Sequence, residues 1–180
     1  MNQGLDEERV LRTRFLCVSW HAADRQLKAG VDQQHVGEAV GLDGPDIRRT
    51  TSYLEGEALI RPVSKRGTIW LLHEGHVAAE ESMDRSSREF GLAVAVEGQL
   101  VKGLRLREIQ ARLTYEQLEP RVRLWEAANR DILDADPTLR KLYTGTRAYD
   151  DLPDCIHKAT TELRMVQQQL AREELPSIGV

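Results

Sequence analysis

The stretch from Val36 to Gly75 constrains this chain most. It runs Val36-Gly37-Glu38-Ala39-Val40-Gly41-Leu42, then Asp43-Gly44-Pro45-Asp46-Ile47, then Leu54, then Ala58-Leu59-Ile60, and closes on Ile69-Trp70-Leu71-Leu72-His73-Glu74-Gly75. The apolar spacings predict two short helices with Gly41-Leu42-Asp43 as a tight turn between them. Val36, Ala39 and Val40 face inward on the first of these helices, and Ile47, Leu54 and Ala58 on the second. Asp32 and Asp43 suit the two N-caps, and Pro45 falls in a first turn, where its missing N–H does no harm. Leu59-Ile60-Arg61-Pro62-Val63 and Thr68-Ile69-Trp70-Leu71 predict two strands around the polar turn Ser64-Lys65-Arg66-Gly67.

The flanking segments read as helices. A first helix is expected from about Glu7 to Leu27, with Leu11, Phe15, Val18 and Ala22 inward and Gly30 as its stop. Helix is expected again from His76 to about Arg88. Phe90–Glu97 fits either periodicity and is taken as helix, with a break at Gly98 and Gly103. Further helices are expected over about Leu106–Leu113, from Tyr115 or Pro120 to Leu133, and from Asp136-Pro137 through Tyr143. In the last helix, from near Asp151, residues Leu152, Ile156, Ala159, Leu163, Val166 and Leu170 make an unbroken four-three stripe. That stripe suits either a bundle within one chain or a seam with a second copy. Asn129, at an apolar position, suits a register-fixing role. The tail from Leu175-Pro176 reads as loose.

Two short helices, a tight turn and a hairpin, in that order, form the layout of a winged helix-turn-helix, whose second helix usually enters the DNA major groove. The chain is therefore expected to be mostly α with a small β-hairpin. An N-terminal winged helix occupies residues 1–90, and a helical, coiled-coil-like region for dimerisation or partner binding occupies residues 91–180.

Charge bears on the DNA expectation. The 180 residues carry a formal charge of −4, and a nucleic-acid binder is expected to be basic at least locally. Residues 1–82 hold 10 Lys/Arg against 13 Asp/Glu, so the N-terminal half is not basic overall. Arg48, Arg49, Arg61, Lys65 and Arg66 nevertheless cluster on the second helix and the hairpin. An acidic body would suppress indiscriminate DNA binding and leave one positive face. Cys17 and Cys155 lie far apart, without metal-type spacing, and are expected to be reduced thiols of a cytoplasmic protein. The acidic N-terminus is no secretory signal, and no apolar run approaches a bilayer's thickness.

Over Leu42–Gly75 the chain resembles winged-helix bacterial regulators of the MarR and PadR type. Leu42, Asp43 and Ile47 match their turn, with Leu54 seven residues on. Ala58-Leu59-Ile60 stands where the family usually has Gly-Leu-Ile or Gly-Leu-Val. Leu71-Leu72-His73-Glu74-Gly75 matches the close of the wing, usually Leu-Thr-x-x-Gly, and the short wing is closer to PadR proteins. The resemblance covers about residues 8–90, and residues 91–180 resemble no named family. It implies a transcriptional regulator that binds double-stranded DNA, commonly as a homodimer whose two reading helices reach half-sites about 34–36 Å apart.

On this reading Arg48 and Arg49 contact bases, since arginine pairs bidentately with guanine. Ser52 and Tyr53 touch bases or phosphates, Lys65 and Arg66 sit on phosphates or reach the minor groove, and Arg61 belongs to the same DNA-binding set. The bland alternatives are a solvated helix face with local pairing to Asp46, a Tyr53 packed beneath the helix and an ordinary charged hairpin tip. His73-x-x-His76 with Glu80 is too few ligands for a metal, so no metal or cofactor is expected. Trp70 and Trp125 read as core or interface. No phosphate loop or nucleophile elbow occurs, so no enzyme is expected. A second helix-turn-helix-like phrase at Arg107–Leu113 is set aside because Pro120 interrupts its continuation. Two rivals remain. One is a winged-helix adaptor in a chromosome-organisation or defence complex that binds protein, through its C-terminal helices among others. The other is a regulator that senses a small ligand or a metal at a site between its two halves.

Overall fold

The structure is a computed structural model that describes residues 3–64, 67–145 and 151–174. Among these residues it has eight α-helices and three strands: α1 Gln3–Ala22, β1 Val31–Asp32, α2 Gln33–Val40, α3 Gly44–Gly56, β2 Ile60–Pro62, β3 Thr68–Leu71, α4 His73–Arg85, α5 Arg88–Ile109, α6 Tyr115–Leu133, α7 Pro137–Leu142 and α8 Leu152–Glu174. The chain is thus mostly helical with one small antiparallel sheet. It divides into two compact units, Met1–Val101 and Lys102–Val180.

In the first unit, α1 packs against α2, α3 and α4. The expected stripe on α1 is replaced by burial all round: every residue from Phe15 to Trp20 is buried, whereas Leu11 is 36% exposed. A helix surrounded on all sides loses its amphipathic signature. It also ends earlier than expected, at Ala22. The Arg25 N–H donates to the Trp20 carbonyl and the Asp24 N–H to that of His21, with Asp24 left-handed, a Schellman closure that needs no glycine at Gly30.

The α2–α3 pair forms as its caps dictate. The Asp32 carboxylate accepts from the N–H groups of Gln34 and His35, and that of Asp43 from Asp46. Helix α2 closes on left-handed Gly41, with the Leu42 N–H donating to the Gly37 carbonyl. Val36 and Ala39 are buried as expected, and Val40 is half-buried. On α3, Ile47, Thr50, Thr51 and Leu54 face inward.

Ala58 does not join that inner face. It is exposed, with φ of 55°, and closes α3 as Gly41 closes α2: the Leu59 N–H donates to Leu54 and the Ala58 N–H to Glu55.

Strands β2 and β3 pair antiparallel, Arg61 opposite Trp70. Strand β1 adds to the other edge of β3, Val31 opposite Ile69, giving the order β1-β3-β2. Its two residues are too short to show alternation, and one doubles as a helix cap, so the third strand was not expected from sequence. Helix α4 begins after Leu72, which supplies no side-chain cap. Phe90–Glu97 is helical as expected, but there is no break at Gly98 or Gly103, since both lie inside α5. They allow close helix packing instead: a Cβ on Gly98 would sit 2.5 Å from the His21 ring, and one on Gly103 would sit 2.6 Å from Trp125.

In the second unit, α5 runs on to Ile109 where a separate helix was expected over Leu106–Leu113, and a short 3-10 turn, Gln110–Arg112, follows. Helices α6 and α7 pack on α8. All six stripe residues of α8, Leu152 through Leu170, are at most 5% exposed. The seam is therefore filled within one chain, and the stripe gives no support to a dimer. Leu163→Asp would strike this core rather than separate a pair of copies. Buried Asn129 donates to the Tyr143 hydroxyl at 3.0 Å. Trp125 is core and Trp70 is half-buried. The tail from residue 175 lies outside the described residues.

Alanine in the left-handed region carries a penalty that glycine avoids. Ala58→Gly is expected to stabilise the first unit by about 0.5–1 kcal/mol, read as a raised denaturant midpoint at unchanged m-value. A lowered midpoint would contradict the assigned closure.

Candidate nucleic-acid interface

Helix α3 carries four of the seven residues singled out from the sequence. Arg48, Arg49, Ser52 and Tyr53 are all exposed, because the buried positions 47, 50, 51 and 54 occupy the other side. They divide into two groups. Arg48 and Ser52, four apart, share one face, and Arg48 makes no ion pair among the described residues.

Arg49 and Tyr53 instead face α1. The Arg49 guanidinium lies 2.9 Å from an Asp46 oxygen and 3.7 Å from Glu8. The Arg12 guanidinium stacks 3.8 Å from the Tyr53 ring centroid and lies 3.8 Å from Glu8. The local pairing of Arg49 to Asp46 anticipated as the bland alternative is thus present, and Tyr53 packs beside the helix under a cation. Glu8 and Arg12 were not singled out from sequence. Their i,i+4 spacing on α1 was legible, but their approach to α3 depends on tertiary packing.

Arg61 is exposed on β2, opposite Trp70. Lys65 and Arg66, expected at the hairpin tip, lie outside the described residues. The base of that turn is well tied. The Val63 N–H donates to the Thr68 carbonyl at 2.9 Å, the Thr68 N–H to the Ser64 hydroxyl at 3.2 Å, and the Gln33 N–H to the Gly67 carbonyl at 3.0 Å. The last bond joins the turn to the start of α2.

Other chemistry is sparse. Among the described residues no three of His, Cys, Asp or Glu converge to hold a metal ion, and no helix is long and apolar enough to cross a membrane. Cys17 and Cys155 are buried and form no disulfide among the described residues. Burial pushes the Cys17 thiol up to about 12, so it stays protonated at neutral pH and makes a poor nucleophile. No protein-family model matches the chain, and no curated protein or solved structure matches it either.

His76, on the inner side of α4, is lowered from its ordinary 6.5, chiefly by burial and also by His73, against a hydrogen bond that the ring donates to the Gln26 backbone carbonyl and the charge of Glu80. A folded-state value below the unfolded one means that the fold favours neutral imidazole. The corresponding stability is present above about pH 6.5 and is lost as the pH falls through the lower folded value. The first unit is therefore expected to lose stability as the pH drops from about 7 toward 5, and His76→Gln to flatten some of that decline. Equal slopes for the two proteins in denaturant titrations would contradict the assignment.

Proposed function

We propose that the first unit is a winged helix-turn-helix and that the protein is a transcriptional regulator binding double-stranded DNA in a sequence-specific manner. The observation that carries the reading is the two-sided character of α3. One side is packed through Ile47, Thr50, Thr51 and Leu54, while Arg48 and Ser52 stand free of that packing with Arg61 on the neighbouring strand. The element order supports it: helix, edge strand, two capped helices joined by a three-residue turn, and a hairpin whose sequence places Lys65 and Arg66 at its tip. Arg48 and Ser52 would read base edges, and Arg61 with the hairpin cations would hold the backbone. One such helix reads few base pairs, so the proposal includes two copies on a two-fold site, with an interface other than the α8 stripe.

A second reading has an observation of its own. The formal charge is −4, and Arg49 already faces two carboxylates of its own chain. Both favour an adaptor that uses the same helix to dock protein.

Fluorescence anisotropy against duplexes from its own promoter region and of unrelated sequence, over a salt series, separates the two. The regulator is expected to prefer the cognate duplex, with log affinity falling by roughly 0.9 per phosphate contact for each log unit of salt. Arg48→Ala should cost about 1–3 kcal/mol on the cognate duplex alone, whereas neutralising Lys65 and Arg66 together should weaken both duplexes and flatten the slope by roughly one to two units. No binding at low salt would overturn the regulator and leave the adaptor.

A further inference from the structure

Between α1 and α3 lies a recess of about 70 Å³ lined by Glu8, Leu11, Arg12, Leu42, Asp46 and Arg49, with Thr50 and Tyr53. That is far below the roughly 300 Å³ at which drug-sized ligand sites begin, so the recess does not fit an organic effector. Its charges have a specific arrangement. One oxygen of the Glu8 carboxylate lies 3.8 Å from the Arg12 guanidinium, and the other lies 3.7 Å from that of Arg49. Two guanidinium groups, one from each helix, thus converge on a single anion. The Arg12 guanidinium stacks 3.8 Å from the Tyr53 ring centroid, and the Arg49 nitrogen that faces Glu8 also lies 2.9 Å from Asp46.

We propose that Arg12 and Arg49 form a binding site for one DNA backbone phosphate, and that Glu8 is its built-in occupant, displaced when DNA arrives. The proposal rests on the DNA-binding reading and deepens it. A phosphodiester offers the same chemistry as the carboxylate: one negative charge and two accepting oxygens for a pair of guanidinium forks. The exchange is easy because the resident contacts are weak. The Arg49 side chain is 67% exposed and that of Glu8 is 42% exposed, and exposed pairs of this kind hold little free energy. The device lowers affinity for any single phosphate. Only a duplex that also engages Arg48 and the hairpin would then displace Glu8 fully, which sharpens discrimination against random DNA.

The test uses the full-length chain and an unrelated-sequence duplex at low salt. Glu8→Gln is expected to tighten binding by about two- to fivefold, the size of one exposed ion pair. Glu7→Gln removes the same charge from the next position on α1 and is expected to do markedly less. In a background with both Arg12→Ala and Arg49→Ala the Glu8→Gln gain should vanish. Equal gains from Glu7→Gln and Glu8→Gln, or a gain that survives this double substitution, would reduce the effect to net charge and overturn the site while leaving the DNA-binding reading intact. If the parent binds no duplex but Glu8→Gln does, the site is supported. If neither binds, the DNA-binding reading fails and takes the site with it.

Discussion

The Arg14–Glu97 ion pair sets the frame of the first unit. Glu97 is fully buried on α5, and both its oxygens are gripped by the Arg14 fork, at 2.6 and 2.8 Å. A carboxylate taken out of water survives ionised only with such a partner. Removing either side chain would leave the other charge stranded, a loss of about 3–5 kcal/mol where buried pairs have been broken. The pair therefore ties α1 to α5 at one buried point, while α2 and α4 pack along α1. Glu8 and Arg12 lie nearer the start of the same helix, where they reach Arg49 and Tyr53 of α3.

What was legible in the sequence is what local chemistry decides. The caps at Asp32 and Asp43 and the closure of α2 at Gly41 follow from neighbours in the chain, whereas Phe90–Glu97 fits either periodicity and is helical in α5. The six-residue stripe of α8 was legible as a buried seam, but a stripe does not say which helix fills it, and here α6 and α7 do. The misses share a cause. Glycines 98 and 103 look like stops, yet they serve packing against His21 and Trp125, which sequence distance conceals. Ala58 has helical spacing but lies past the end of α3, in a closure that favours glycine.

The candidate site divides along the same line. The exposure of Arg48, Arg49, Ser52 and Tyr53 follows from the periodicity that buries Ile47 and Leu54. The different surroundings of Arg48 and Arg49 follow only in part: Asp46 pairs with Arg49 within α3, but the approach of Glu8 depends on α1 passing near α3. An overall acidic chain can still offer a positive face if its acids are placed beside particular cations, where they restrain weak binding without abolishing strong binding. On the proposed function, Glu8 and Asp46 stand in that relation to Arg49, at 3.7 and 2.9 Å from its guanidinium.

Amide hydrogen exchange on the full-length chain, with and without a duplex selected from its promoter region, tests the central claim most directly. Added protection over α3 and the β2–β3 hairpin, with little change elsewhere, is the result the account predicts. Protection confined to residues 102–174, or none at DNA concentrations that saturate anisotropy, would contradict it.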